Sequence, residues 1–222
     1  MLSNFFKKTF AFCVFSVCLI VVVWAGQSNK VNEAKEVLNR VATTFRSAGG
    51  VNAKFTIKIE GKDRRIIHSN GSIQLKGKRF VLNSNGMITW YNGKTQWTYS
   101  KENDEVNVSI PTKEELQSIN PYALLYAYQK DYVCRFGNIK SFAGKAVTEI
   151  LLTAIKPDQN YQKVVLYVMN KTYQPLFIKL QSVDGSQTEI SIVSYKTNLK
   201  YADDIFIFYS SKYPNAEIID LR

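Results

Sequence analysis

The sequence predicts a mainly β fold with some α structure: one antiparallel sheet of about eleven strands, preceded by a helix and interrupted midway by two short helical pieces. Three observations carry this. The apolar period is 3.6 over residues 31–48 and changes to 2 after Gly50. Turn dipeptides recur at short intervals from Gly61 onward. The alternation stops between Pro111 and Tyr128 and resumes from Tyr132.

At the N-terminus, Lys7 and Lys8 precede an apolar run over residues 10–24, and Val23-Trp24-Ala25 offers a small residue before Gly26. This is the layout of a secretory signal peptide cleaved after Ala25. The run falls short of the roughly 20 residues of a bilayer span. Residues 1–25 therefore read as a cleaved signal and 26–222 as a single domain, with a retained anchor as the other reading. Cys18 follows Val17, where a lipoprotein signal would want a small residue. Cys13 and Cys18 would leave with the signal, so Cys134 would be the one thiol and could form no internal disulfide. The domain must then be held by its apolar core, which its length allows.

Residues 31–48 place Val31, Ala34, Val37, Leu38, Val41, Ala42 and Phe45 on one helical stripe, stopped by Gly49-Gly50. Residues 51–60 alternate apolar (Val51, Ala53, Phe55, Ile57, Ile59) with polar, a strand with one apolar face. Turns are expected at Gly61-Lys62-Asp63, Asn70-Gly71, Gly77-Lys78, Asn85-Gly86 and Asn92-Gly93, with strands at 72–76, 80–83, 87–91 and 95–99. Thr112 reads as a helix N-cap with Glu115 three residues on. Pro121 opens a second helical piece over 122–128. Strands follow at 146–154, 163–169, 175–182, 188–195 and 205–209, and the chain closes on 213–220.

Little in the sequence suggests chemistry. His68 is the sole histidine and lies in a polar, exposed strand; Cys134 has no neighbouring histidine. Neither a metal site nor a catalytic pair can be assembled from them, and no cofactor is expected. Gly93-Lys94-Thr95 ends like a phosphate loop, but six residues separate Gly86 from Gly93 where that loop needs four. The formal net charge of +11 includes Lys7 and Lys8, and the remaining cations are spread over strands and turns. They suit a solvated sheet face, or attraction to an anionic membrane or an acidic partner. Nucleic acid is disfavoured for an exported protein. Aromatic side chains are concentrated at Trp90, Tyr91, Trp97, Tyr99, Tyr122, Tyr126 and Tyr128. They either fill a closed core or line the concave face of a curved sheet, and pattern alone leaves both open.

Several stretches, in order, resemble the periplasmic lipoprotein carriers of Gram-negative bacteria, the LolA-like family. They are the helix after a signal peptide, the strand 51–59, and Gly71-Ser72-Ile73-Gln74-Leu75-Lys76-Gly77-Lys78-Arg79-Phe80. Ile88-Thr89-Trp90-Tyr91-Asn92-Gly93-Lys94-Thr95-Gln96-Trp97-Thr98-Tyr99, Glu105-Val106-Asn107-Val108, Asn120-Pro121-Tyr122-Ala123-Leu124-Leu125 and the ending from Tyr213-Pro214 follow. The resemblance implies an unclosed antiparallel β half-barrel of about eleven strands covered by a lid of short helices. It implies a non-enzymatic chaperone that shuttles the acyl chains of lipoproteins from an inner-membrane releasing transporter to an outer-membrane acceptor. Such a carrier would be a periplasmic monomer, making at most transient membrane contact. The expected cavity residues are Phe55, Ile57, Phe80, Leu82, Trp90, Trp97, Tyr122, Leu124 and Leu125. Lys76 stands near where the family often has an arginine that ties lid to barrel, and a lysine there keeps the charge without the planar fork. A carrier or sensor for another lipid on the same fold is the alternative.

Overall fold

The computed structural model describes residues 31–112, 115–116 and 131–222. The signal segment and the expected lid piece with Tyr122, Leu124 and Leu125 lie outside the described residues.

A helix, α1, covers residues 31–47. Its stripe of Ala34, Leu38, Val41, Ala42 and Phe45 is buried, as the 3.6-residue period requires. The chain then enters β1 (Gly50–Glu60), β2 (Ile66–Lys76), β3 (Arg79–Ser84), β4 (Met87–Tyr91), β5 (Gln96–Ser100) and β6 (Glu105–Ser109). After the midway segment come β7 (Tyr132–Phe136), β8 (Ser141–Phe142), β9 (Lys145–Ala154), β10 (Tyr161–Met169), β11 (Pro175–Ser182), β12 (Gln187–Leu199) and β13 (Glu217–Asp220).

These strands form one unclosed 13-stranded sheet in the order β13-β6-β5-β4-β3-β2-β1-β12-β11-β10-β9-β7, with β8 paired to β9 off the path. All pairings are antiparallel except β13 on β6. The long β1 is the centre: it pairs with β2 along its length and with β12 on its other side, through two register shifts. Such bulges add the twist and bend that curl a sheet. Period-2 alternation then sends one set of side chains to the concave face. Val51, Ala53, Leu75, Ile73 and Phe80 from the first half meet Ile150, Leu166, Val168 and Cys134 from the second in a single core, and α1 packs into it.

Three expectations change. The strand count is thirteen against about eleven expected, with the two-residue β8 among the additions. Asn70-Gly71 is not a turn but lies inside β2, opposite Thr56 and Phe55 of β1. A glycine inside a strand marks a close approach, and here the approach is the Phe55 ring. Residues 205–209 are not a strand; Asp203–Phe206 is a 3-10 turn that buries Phe206 completely. The midway helix entry does form its reciprocal cap: Glu115 N–H donates to Thr112 Oγ1 at 3.2 Å, and Thr112 N–H donates to Glu115 Oε2 at 2.7 Å.

Candidate functional site

The concave face is filled by α1 only at the end where β1 begins. At the other end an apolar hollow of about 360 Å³ remains. We call these ends the foot and the mouth. Phe55, Ile57 and Ile59 of β1, Ile73 of β2 and Leu82 of β3 line one wall of the hollow. Ile178, Leu180, Ile190 and Ile192 of β11 and β12 line the other.

The register explains the convergence. Ile57 faces Ile190 across the β1–β12 pair, and Ile190 faces Ile178 across β11–β12, so one row of branched side chains runs across three strands. Ile73 faces Leu82, which faces Thr89, on the other side of β1. Met87, nearly half exposed, stands at the opening beside Ser84 and Asn85.

Among the described residues, the lining includes no carboxylate, lysine, arginine or histidine. Its one titratable group, Tyr161, has its phenol pushed up by burial, so the hollow keeps one charge state through the neutral range. Tyr161 also supplies the carbonyl that accepts the Tyr132 hydroxyl at 3.0 Å, which holds the start of β10 against β7. A site with these groups can hold hydrocarbon, and its Ser84, Thr89 and Thr188 hydroxyls have no histidine, lysine or carboxylate beside them among the described lining residues. Among the described residues no three His, Cys, Asp or Glu side chains are grouped to hold a metal. No helix among them is long and apolar enough to cross a membrane. Cys134 is fully buried in the core, and burial pushes its thiol up to about 11, so it is a packing residue.

Of the expected cavity residues, Phe55, Ile57 and Leu82 line the hollow. Phe80 faces the same way but lies deeper, buried against Tyr91 with ring centroids 5.4 Å apart. Trp90 and Trp97 do not line it. They face each other across β4–β5 on the opposite side of the sheet from Thr89. The Trp90 ring packs at 5.5 Å on Phe208 and at 5.7 Å on Tyr213. The odd–even phase of β4 decides this: Met87, Thr89 and Tyr91 share the concave face, so Ile88 and Trp90 take the outer one.

Lys76 also alternates away from the hollow. Its ammonium donates to the Tyr201 carbonyl at 2.7 Å and pairs with Asp203 at 2.9 Å, so its described partners belong to the C-terminal strap over the outer face. Sequence reasoning missed the second wall, Ile178, Leu180, Ile190 and Ile192. Its signal was present in the alternation of β11 and β12, but only the pairing of β12 with β1 brings it to the site.

The family model described as outer membrane lipoprotein carrier protein LolA matches residues 25–185. No curated protein matches the chain in sequence. One of the similar solved structures supports the same architecture. An uncharacterized conserved protein from Thermus thermophilus is 14% identical, with a TM-score of 0.58 over 85% of this chain and 99% of that one. A LolA superfamily protein from Nitrosomonas europaea is also 14% identical, with a TM-score of 0.42 over 79% of this chain and 97% of the other. A DUF1329 family protein from Desulfovibrio piger is 12% identical, with a TM-score of 0.48 over 80% and 97%.

Proposed function

This chain belongs to the LolA family of outer membrane lipoprotein carrier proteins, and from that premise we propose that it is a periplasmic carrier whose hollow takes the acyl chains of lipoproteins between the inner and outer membranes. The observation that carries the reading is the lining: branched aliphatic side chains from both halves of the sheet converge on a space that α1 leaves unfilled. Moving a methylene from a membrane into water costs about 0.8 kcal/mol. A lipid moiety with several chains thus faces roughly tens of kcal/mol in free solution. A carrier must replace that apolar contact and still let go. Non-directional contacts with Ile57, Leu82, Leu180 and Ile190 do both, because no hydrogen bond or ion pair has to be broken on release.

The midway segment is proposed as the lid, with Tyr122, Leu124 and Leu125 as its cargo-binding residues. Its described flank supports this: Leu116 packs on the concave core. Lipoproteins, an inner-membrane releasing transporter and an outer-membrane acceptor are the proposed partners of a monomeric carrier without enzymatic activity. One observation favours a second reading. At about 360 Å³ the hollow is at the lower end of the range of small-ligand sites, which suits a single acyl chain or another small lipid.

The test is to capture the tagged protein from the periplasm and identify what travels with it by native mass spectrometry and lipid extraction. Acylated lipoproteins in stoichiometric amount are expected. Recovery of a small lipid and never a lipoprotein would replace the proposal with the second reading.

A further inference from the structure

The two ends of the sheet differ in charge in a way the hollow does not explain. At the mouth, cations and carboxylates balance across the charged hairpin turns: Asp63 stands with Lys62, Arg64 and Arg65 after β1, Glu102 and Asp104 with Lys101 after β5, Asp158 with Lys156 after β9, and Asp184 after β11. At the foot and on the footward end of β10–β11, the charged hairpin turns contain lysine and no carboxylate: Lys78, Lys94 and Lys171. All three lysines are exposed.

Two of these turns enclose a shallow notch of about 610 Å³ between the β2–β3 and β4–β5 hairpins, lined by Lys76, Lys78, Arg79 and Lys94 with Asn92 and Asp203. Asp203 pairs with Lys76 and with Arg79, and these two cations hold its carboxyl below the usual range. Asp203 thereby consumes one charge of the cluster and fixes the other two positions, leaving Lys78 and Lys94 projecting from the hairpin tips. The Asn92 carboxamide oxygen already accepts from the backbone N–H groups of Lys94 and Thr95, at 2.9 Å each, so the turn offers its lysine rather than a cradle of amides.

We propose that the foot, centred on this notch, docks on the phosphate headgroups of an anionic bilayer, with the mouth turned away from that surface. The charge distribution supports a bilayer over an acidic protein. The free cations of the notch are lysines on separate hairpin tips, point charges that suit a field of phosphates, rather than arginine forks fixed to meet particular carboxylates. The mouth, whose turn charges cancel, gains no comparable attraction from that surface. This proposal does not depend on what fills the hollow.

The experiment is co-sedimentation of the full chain, as isolated from expressing cells, with vesicles of neutral phosphatidylcholine and with vesicles that also contain phosphatidylglycerol. The expected result is binding to the anionic vesicles that weakens with added salt. Neutralising Lys78 and Lys94 together (Lys78→Gln, Lys94→Gln) should weaken it by about fivefold per lysine. The control pair at the mouth, Lys62→Gln with Lys101→Gln, should bind as wild type does. Equal partition to both vesicle types, or anionic binding unaltered in the foot variant, would overturn the proposal. Capture of inorganic phosphate or of polyglutamate at the notch without recruitment to vesicles would overturn it too, and would reassign the site to a free anion or an acidic protein. An Ile57→Glu variant should retain vesicle binding whatever its effect on acyl chains.

Discussion

Phe55 and Gly71 are cross-strand partners, and the Phe55 ring lies over the space that a side chain at Gly71 would occupy. The missing Cβ of one strand is thus what admits a large lining side chain from its neighbour. Gly71→Ala should force the ring to shift or bend β2, costing about 1–3 kcal/mol of stability as overpacking does. It should also narrow the hollow. Denaturant titration and binding of a fluorescent acyl probe check both effects, and adding Phe55→Leu to Gly71→Ala should recover most of the stability.

The outer-face position of Trp90 makes a sharper prediction. Trp90→Phe should leave the affinity for an acyl probe within about twofold, because its neighbours are Phe208 and Tyr213 rather than cargo. Leu82→Glu should abolish binding, since a carboxylate in a hydrocarbon-filled site is left without a partner. Comparable losses from the two substitutions would put the hollow on the wrong face of the sheet.

The strap that follows β12 is anchored more by apolar burial than by charge. Phe206 is completely buried, so Phe206→Ala should cost about 3–5 kcal/mol by leaving a cavity. Asp203→Asn, which removes two exposed ion pairs, should lower the denaturation midpoint only slightly at neutral pH. The Asp203 carboxyl titrates below its usual value in the folded state, so its contribution is present above the ordinary carboxylate value and is lost as the pH falls from there through the lowered folded-state value. The small difference between wild type and Asp203→Asn should therefore vanish in acid.

Alkaline pH should destabilise the fold before any backbone chemistry begins. Burial raises the Cys134 thiol to about 11 and the Tyr132 and Tyr195 phenols to about 12. The folded state holds these protons where the unfolded chain has released them, so stability is complete below about pH 9 and declines above it. Urea midpoints at increasing pH should show the decline, and Cys134→Ala should remove its first part. Cys134 in the wild-type protein should stay unreactive toward thiol reagents until the protein unfolds.

Much of this fold could be read from the residues, for physical reasons that differ by element. The buried stripe of α1 and the alternating apolar face of β1 are local patterns, and local patterns survive folding when one face is buried. The Thr112–Glu115 cap is likewise local, with both partners within one turn of helix. Gly71 misled because a glycine after asparagine has the same local signature in a turn and in a strand that must yield to a neighbouring ring. Trp90 and Trp97 misled because aromatic content gives mass without direction; the phase of β4, set by Met87 and Thr89 at the hollow, decides which way the rings point. The wall of Ile178, Leu180, Ile190 and Ile192 depended on a pairing between β1 and β12, more than a hundred positions apart, which no window of sequence contains.

The most direct test of the central claim is a titration of a fluorescent fatty-acid probe against the wild-type chain and against Leu180→Glu, with folding of both followed by circular dichroism. Saturable enhancement with wild type, displaced by unlabelled acyl chains and absent in a folded Leu180→Glu, is the predicted result. A wild-type protein that gives no enhancement, or a folded variant that binds as well as wild type, would mean that the space between Ile57, Leu82 and Leu180 is not where hydrocarbon is carried.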